Sequence, residues 1–209
     1  MIGTGDGSRT MRKTKSEKGL SSKQGWQSLE ELRIRTKQLS LREHLERNHF
    51  LLERLYAASA GLIQALNEGD THVAIGEILG NLIGSEEAAI FHYDQGERRF
   101  VPAWSVGVSK EMLQQFSNGT GMMWRTVTEG VSQFRDRQNE SHIQPFEQSL
   151  TASVVLKSSR EVVGIILLFG LLPQKSGLEW VDYELLKFLE TYGAVAIQLQ
   201  RLQKRAGTP

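Results

Sequence analysis

Two long stretches in which apolar residues recur every three or four positions bracket the chain, and short β-branched runs lie between them. Near the C-terminus, Leu178, Val181, Leu185, Phe188, Tyr192, Val195, Leu199 and Leu202 follow alternating steps of three and four. That places one apolar stripe along a helix with coiled-coil periodicity. Its first half reads as a core helix lying on a sheet. Its second half either stays on that sheet or continues past it as a dimer seam.

The same rhythm occurs near the N-terminus at Leu41, Leu45, Asn48, Leu52, Leu55, Ser59, Leu62 and Leu66. Leu32 and Leu39 carry the apolar content upstream in a looser register. A helix from about Ser28 to Asn67 would extend roughly 60 Å, more than one small domain spans, so its N-terminal half is expected to project. A projecting leucine-lined helix needs a partner, and a second copy of the chain is the simplest one. Asn48 on the seam would then fix register. Folding back on its own domain is the alternative. Charged neighbours such as Arg42, Glu43, Glu46, Arg47 and Glu53 read as a solvated face.

Between the helices the period changes. Gly69 is a plausible helix C-cap residue, with Asp70 or Thr71 as the next N-cap, and a second helix runs to Gly84. Residues 87–93 and 98–105 read as strands joined by a turn at Asp94-Gln-Gly96. Pro102 removes a ladder donor and puts the second strand at an edge. Short helices are expected over Lys110–Phe116 and Met122–Thr128, a short strand over Val131–Arg135, and a brief helical turn over His142–Gln148. Thr151–Leu156 and Val162–Phe169 form a hairpin. The second run lacks polar alternation, so it predicts a central strand covered on both faces, and Gly164 within it marks a bulge or a close backbone approach. No apolar run reaches the roughly 20 residues of a membrane span.

Composition narrows the chemistry. The chain has 209 residues and no cysteine, which excludes disulfides, thiolate metal sites and cysteine nucleophiles. Residues 1–25 carry six Lys or Arg against two acidic residues, leaving −3 of the formal +1 on the remainder. A basic tail on a slightly acidic body argues against a dedicated nucleic-acid surface. The first residues lack the apolar run of a signal peptide, so a cytoplasmic protein is expected. The expected organisation is a disordered basic tail over residues 1–26, a projecting helix over 27–50, a domain over 51–203 and a short tail over 204–209.

The order of elements resembles that of a GAF domain, a relative of the PAS sensor fold, from about Leu51 to Leu202. The passages that carry the likeness are Ile78 to Asp94, Glu161 to Leu168 and Trp180 to Leu186. They match the family's helix–strand opening, its glycine-containing strand and its closing helix. Val155-Leu156 departs from the Pro-Leu pair of many members. The resemblance implies an α+β fold: a GAF-like antiparallel sheet of five or six strands with helices on one face, and long N- and C-terminal helices forming a dimer bundle. It also implies a small-molecule pocket on the other face, closed by short helices and variable loops.

The pocket candidates are Phe91 and Tyr93, which share one strand face, with Met122, Met123, Trp124, Phe134, His142 and Phe146. An aromatic and methionine lining suits a flat apolar ligand; alternatively these side chains simply fill the cavity. The dimer candidates are Leu45, Asn48, Leu52, Leu55, Leu62, Tyr192, Val195 and Leu199. Family members that attach linear tetrapyrroles covalently, and those that reduce methionine sulfoxide, use cysteines that this chain lacks. His142 lies near a loop histidine of bilin-binding members. Asn139, Phe146 and Glu147 echo in part the constellation of cyclic-nucleotide-binding members, without its lysine. The cofactor, if any, stays unidentified, and no metal is assigned: His72, His92 and His142 fall in separate elements, with no metal-ligand spacing. Two functions fit these features. One is a non-enzymatic dimeric sensor that passes a small-molecule or signalling state to a separate partner protein; the other is a ligand-free scaffold for dimerisation and docking. An open cavity favours the first, and a filled one the second.

Overall fold

The computed structural model describes residues 14–117, 121–135, 147–158 and 161–206. The chain divides into two units, one ending at Phe50 and one beginning at Leu51. The described residues of the first unit are helical, and the side chains from Arg33 to Phe50 are exposed. They belong to helix α1 (Thr14–Glu68). Residues 14–25, expected to be disordered, are therefore helical. The physical reason is that extending an existing helix costs far less than nucleating one, and Lys, Glu, Gln and Ser tolerate the conformation despite Gly19 and Gly25.

In the second unit α1 ends at Gly69, whose φ of 89° suits a residue without a Cβ. Gly69 N–H donates to the Ala65 carbonyl at 2.8 Å. Asp70 then caps α2 (Thr71–Glu77), its Oδ1 accepting from Val73 N–H at 3.2 Å. The helix continues as a π turn over Ile78–Ile83 and stops at Gly84 in the left-handed region. Both expected cap positions are found.

Five strands come next: β1 (Ala88–Asp94), β2 (Arg99–Val106), β3 (Gln133–Phe134), β4 (Ala152–Ser158) and β5 (Glu161–Leu168). They form one antiparallel sheet in the order β2-β1-β5-β4-β3. Pro102 sits on edge strand β2, as its missing donor requires. Strand β5 is central and buried from Val163 to Leu168. Its pairing with β4 shifts register between Leu156 and Lys157, and a Cβ on Gly164 would lie 2.3 Å from the Phe91 carbonyl oxygen. The close approach is at Gly164, and the extra residue of the bulge is its neighbour Val163.

Two apolar layers flank the sheet. On one face Ile90, Val154, Leu156, Ile166 and Leu168 pack with Ala58, Leu62 and Ala65 of α1, with α2 and its π turn, and with the C-terminal helices. On the other face Phe91, Phe100, Ile165 and Leu167 pack with Phe116 of α3 (Lys110–Ser117) and with Met122, Met123 and Val127 of α4 (Gly121–Glu129).

The C-terminal segment is α5 (Trp180–Phe188), a π turn (Leu189–Gly193) and α6 (Ala194–Ala206). The π turn inserts one residue into the 3.6-residue rhythm, which rotates α6 by about 100° relative to the stripe on α5. Val181, Leu185 and Leu189 lie in the core, and beyond the turn the buried positions become Ala194, Ala196, Ile197 and Gln200. The stripe that looks continuous in sequence therefore splits, and its second half turns outward: Tyr192, Val195, Leu199 and Leu202 are 58, 39, 43 and 58% exposed. Among the described residues no helix is long and apolar enough to cross a membrane.

Candidate functional site

The α3–α4 face gathers five of the eight pocket candidates. Phe91, Met122 and Met123 are buried in its layer, and Tyr93 and Trp124 pack at its rim. Tyr93 meets Phe100 at 5.2 Å between ring centroids and Trp124 at 6.5 Å. The Arg98 guanidinium stands 5.2 Å over the Trp124 ring. Fully buried Phe91, Phe116, Met123, Leu150, Ile165 and Leu167 occupy the space between sheet and helices.

Phe134 is a correction to the expected set. Its strand partner Ala152 faces the long helices, and its ring meets Tyr183 of α5 at 4.9 Å, so it lies across the sheet from Phe91. A two-residue strand offers no alternation from which the sequence could assign its face. His142 and Phe146 lie outside the described residues. Leu62 is a second correction: the spacing predicts it on a dimer seam, but it is buried at 4% in the core of its own unit, and Leu55 packs partly against that core. Heptad spacing cannot tell a core stripe from a seam. Leu45, Asn48 and Leu52 are exposed, as are Tyr192, Val195 and Leu199.

Polar groups within the α3–α4 face are satisfied locally. Thr126 Oγ1 donates to the Met122 carbonyl at 2.8 Å and lies 2.9 Å from Ser153 Oγ. Glu147 is buried and accepts from Met122 N–H at 2.6 Å, capping α4 at its positive end. Gly121, with φ of 60°, makes room for it, since a Cβ there would sit 2.1 Å from Glu147 Oε2. This is a structural cap, which its distance in sequence concealed.

A second group of side chains meets on the opposite face of the sheet from Phe91 and Tyr93. His72 of α2 and His92 of β1 touch edge to face, 4.9 Å between centroids. His72 Nε2 and His92 Nδ1 are buried without a hydrogen-bond partner. Burial, then the charge of Arg201, pushes His92 down to about 4. Burial also lowers His72, against the opposing pull of Asp70. In front of Arg201 lies a cleft of about 440 Å³ between the end of β1, the start of β5 and the C-terminal half of α6. The sequence placed His72 and His92 in separate elements; their convergence depends on α2 packing against the β1–β2 side of the sheet. Among the described residues no group of three or more His, Asp or Glu is placed to hold a metal ion.

Layer order, sheet order and strand polarity are those of a GAF-like fold. Solved structures agree, 41 chains matching significantly. The GAF domain of a phosphoenolpyruvate-protein phosphotransferase from Acinetobacter aligns with a TM-score of 0.55 at 12% identity, over 75% of this chain and 98% of that one. A GAF domain/HD domain protein from Geobacter sulfurreducens gives 0.53 at 14%, over 68% and 98%. Free methionine-R-sulfoxide reductase from Neisseria meningitidis, solved with its substrate, gives 0.52 at 14%, over 70% and 89%. At these identities the likeness establishes the fold. No family model matches the sequence, and no curated protein matches it significantly.

Proposed function

We propose that this chain is a non-enzymatic regulatory module of GAF-like fold that works as a homodimer and passes a signalling state to a separate partner protein. The observation that carries the reading is the outward half-stripe of α6. Tyr192, Val195, Leu199 and Leu202 keep steps of three, four and three, yet remain exposed on a helix whose opposite side is core. Phe188 stacks on Tyr192 at 4.8 Å and widens the apolar face. Leu52, Tyr56 and Ile63 add a second exposed apolar set on α1. Solvated apolar residues at coiled-coil spacing suit a second copy of the same helix. GAF domains of a phosphotransferase and of a GAF/HD protein share the fold, which favours a regulatory role over a catalytic one. The reductase of the same fold does not transfer by thiol chemistry, because this chain has no cysteine.

The filled α3–α4 layer favours a narrower version, in which that face is a scaffold and binds no apolar ligand. Light scattering at micromolar concentration tests the dimer. The wild type should have twice the chain mass, and Val195→Asp with Leu199→Asp should halve it without loss of helical signal. A monomeric wild type, or an unchanged mass in the variant, removes α6 as the seam.

A further inference from the structure

The cleft beside Arg201 is built from one helix face and one end of the sheet. Gln198, Arg201, Leu202 and Arg205 stand at i, i+3, i+4 and i+7 of α6 and form one wall. Tyr93, Gln95 and the first residues of β5 form the other. Arg201 is half-buried and has no hydrogen bond or ion pair among the described residues. Arg205 is exposed and likewise has no carboxylate partner there. Glu161, exposed at the far wall, is the carboxylate lining the cleft.

Taking a guanidinium partly out of water without a counter-charge is costly, and proteins ordinarily pair such a group. Here the opposite has been assembled. Arg205 bears on Arg201 with like charge, and the two imidazoles behind are kept neutral first by burial and then by the charges of Arg201 and Lys204. Asp70 pulls His72 the other way.

We propose that this cleft binds a small phosphorylated molecule, its phosphoryl group held by Arg201 and Arg205 and its remainder lying against Tyr93 and Val162. Two forked guanidiniums offer more donors than one carboxylate can accept, whereas the three terminal oxygens of a phosphate monoester match them. The volume falls within the range of small-molecule sites. Gln95 and Gln198 supply amide groups for the rest of the ligand. A bound dianion offsets the cations that hold His72 and His92 neutral, so binding raises the affinity of both rings for protons. Leu202 lines the cleft and also closes the exposed stripe, so occupancy bears on the face assigned above to the dimer. Only that consequence rests on the dimer reading; binding itself does not.

The test is calorimetric titration of the full chain at pH 7.5 and fixed ionic strength with phenyl phosphate, inorganic phosphate and acetate, the mass being recorded in parallel. The expected result is saturable binding of phenyl phosphate, weakened at least tenfold in Arg201→Gln and in Arg205→Gln, with acetate inert. Nuclear magnetic resonance titration should show the ring of His92 protonating at higher pH in the presence of phenyl phosphate. Absence of saturable binding, wild-type affinity in both variants, or equal binding of acetate overturns the proposal. So does co-sedimentation with vesicles bearing phosphomonoester headgroups when phenyl phosphate itself does not bind, which would make the patch a membrane contact. A monomeric mass with phenyl phosphate bound removes the dimer reading and leaves the site.

Discussion

Gly164→Ala and Gly61→Ala make the same chemical change in two places where the structure requires opposite signs. At Gly164 the new Cβ would sit 2.3 Å from the Phe91 carbonyl oxygen and 3.4 Å from His92 Cα, both fixed atoms of the neighbouring central strand. Normal carbon–oxygen contact begins near 3.3 Å, so β1 and β5 must part by roughly 1 Å. Overpacking of that kind costs about 1–3 kcal/mol, and one weakened ladder bond adds about 0.5–1.5. Restricting the unfolded chain returns about 0.4–1 kcal/mol. The net loss is about 2–3 kcal/mol, which lowers Tm by roughly 4–12 °C for a unit of this size. At Gly61 the added Cβ meets nothing within 4 Å. Replacing glycine by alanine in a helix interior is worth about 1 kcal/mol, so Tm should rise by about 2–4 °C. Urea unfolding followed by circular dichroism, with the m-value held as a check, measures both. A neutral Gly164→Ala would refute the pairing of His92 with Gly164. A destabilising Gly61→Ala would show a close neighbour on that face of α1.

Two other groups yield direct tests. Lys175 Nζ stands 2.6 Å from Asp182 Oδ2, which also accepts from Glu179 N–H at 2.6 Å, and Asp182 is fully buried. Lys175→Met should therefore cost about 3 kcal/mol in chemical denaturation, because it leaves a buried carboxylate without its cation; a loss below about 1 kcal/mol would mean that water reaches the carboxylate. In the unfolded chain His92 protonates near 6.5, whereas in the fold it stays neutral down to about 4. The unfolded state binds the extra proton in that window, so stability present above 6.5 is lost as pH falls towards 4. The loss should be on the order of 1–2 kcal/mol once screening of a partly exposed ring is allowed for. His92→Gln should remove most of it in unfolding titrations compared at pH 7.5 and 4.5.

How much of the fold and site was legible in the sequence depended on whether the determinant was local. Gly69, Asp70 and Gly84 announced their caps because capping is written within a few residues. Pro102 announced an edge, and the unbroken apolar run of β5 announced a strand covered on both faces. Features that arise from one element meeting another were hidden. The facing of β3 put Phe134 against Tyr183, the packing of α2 on the β1–β2 side of the sheet joined two histidines twenty positions apart, and Glu147 reached back across the chain to cap α4. The stripe on the last helix is apolar and periodic as its spacing says, but a π turn is a conformational choice that heptad spacing does not record.

That π turn is also where a signalling reading gains a physical route. It divides the C-terminal segment into a half locked in the core and a half presented outward, so the direction of the outward stripe depends on whether the extra residue is accommodated there. The turn is tied to the far edge of the sheet: Ser132, beside β3, donates its hydroxyl to the Glu190 carboxylate and accepts from Val155 N–H at 3.0 Å. Phe134 holds the same edge against Tyr183 in the preceding helix. The β3 edge thus touches α5 through a ring contact and the π turn through a hydrogen bond. The cleft beside Arg201 is lined by the same helix nearer its other end, through Gln198, Arg201 and Leu202. Coupling between distant sites requires an element with two discrete arrangements that both can bias. The π turn lies between these two groups, and deleting one of its residues should remove the insertion and rotate the outward stripe by about 100°, a change read by which residues of α6 become protected from solvent.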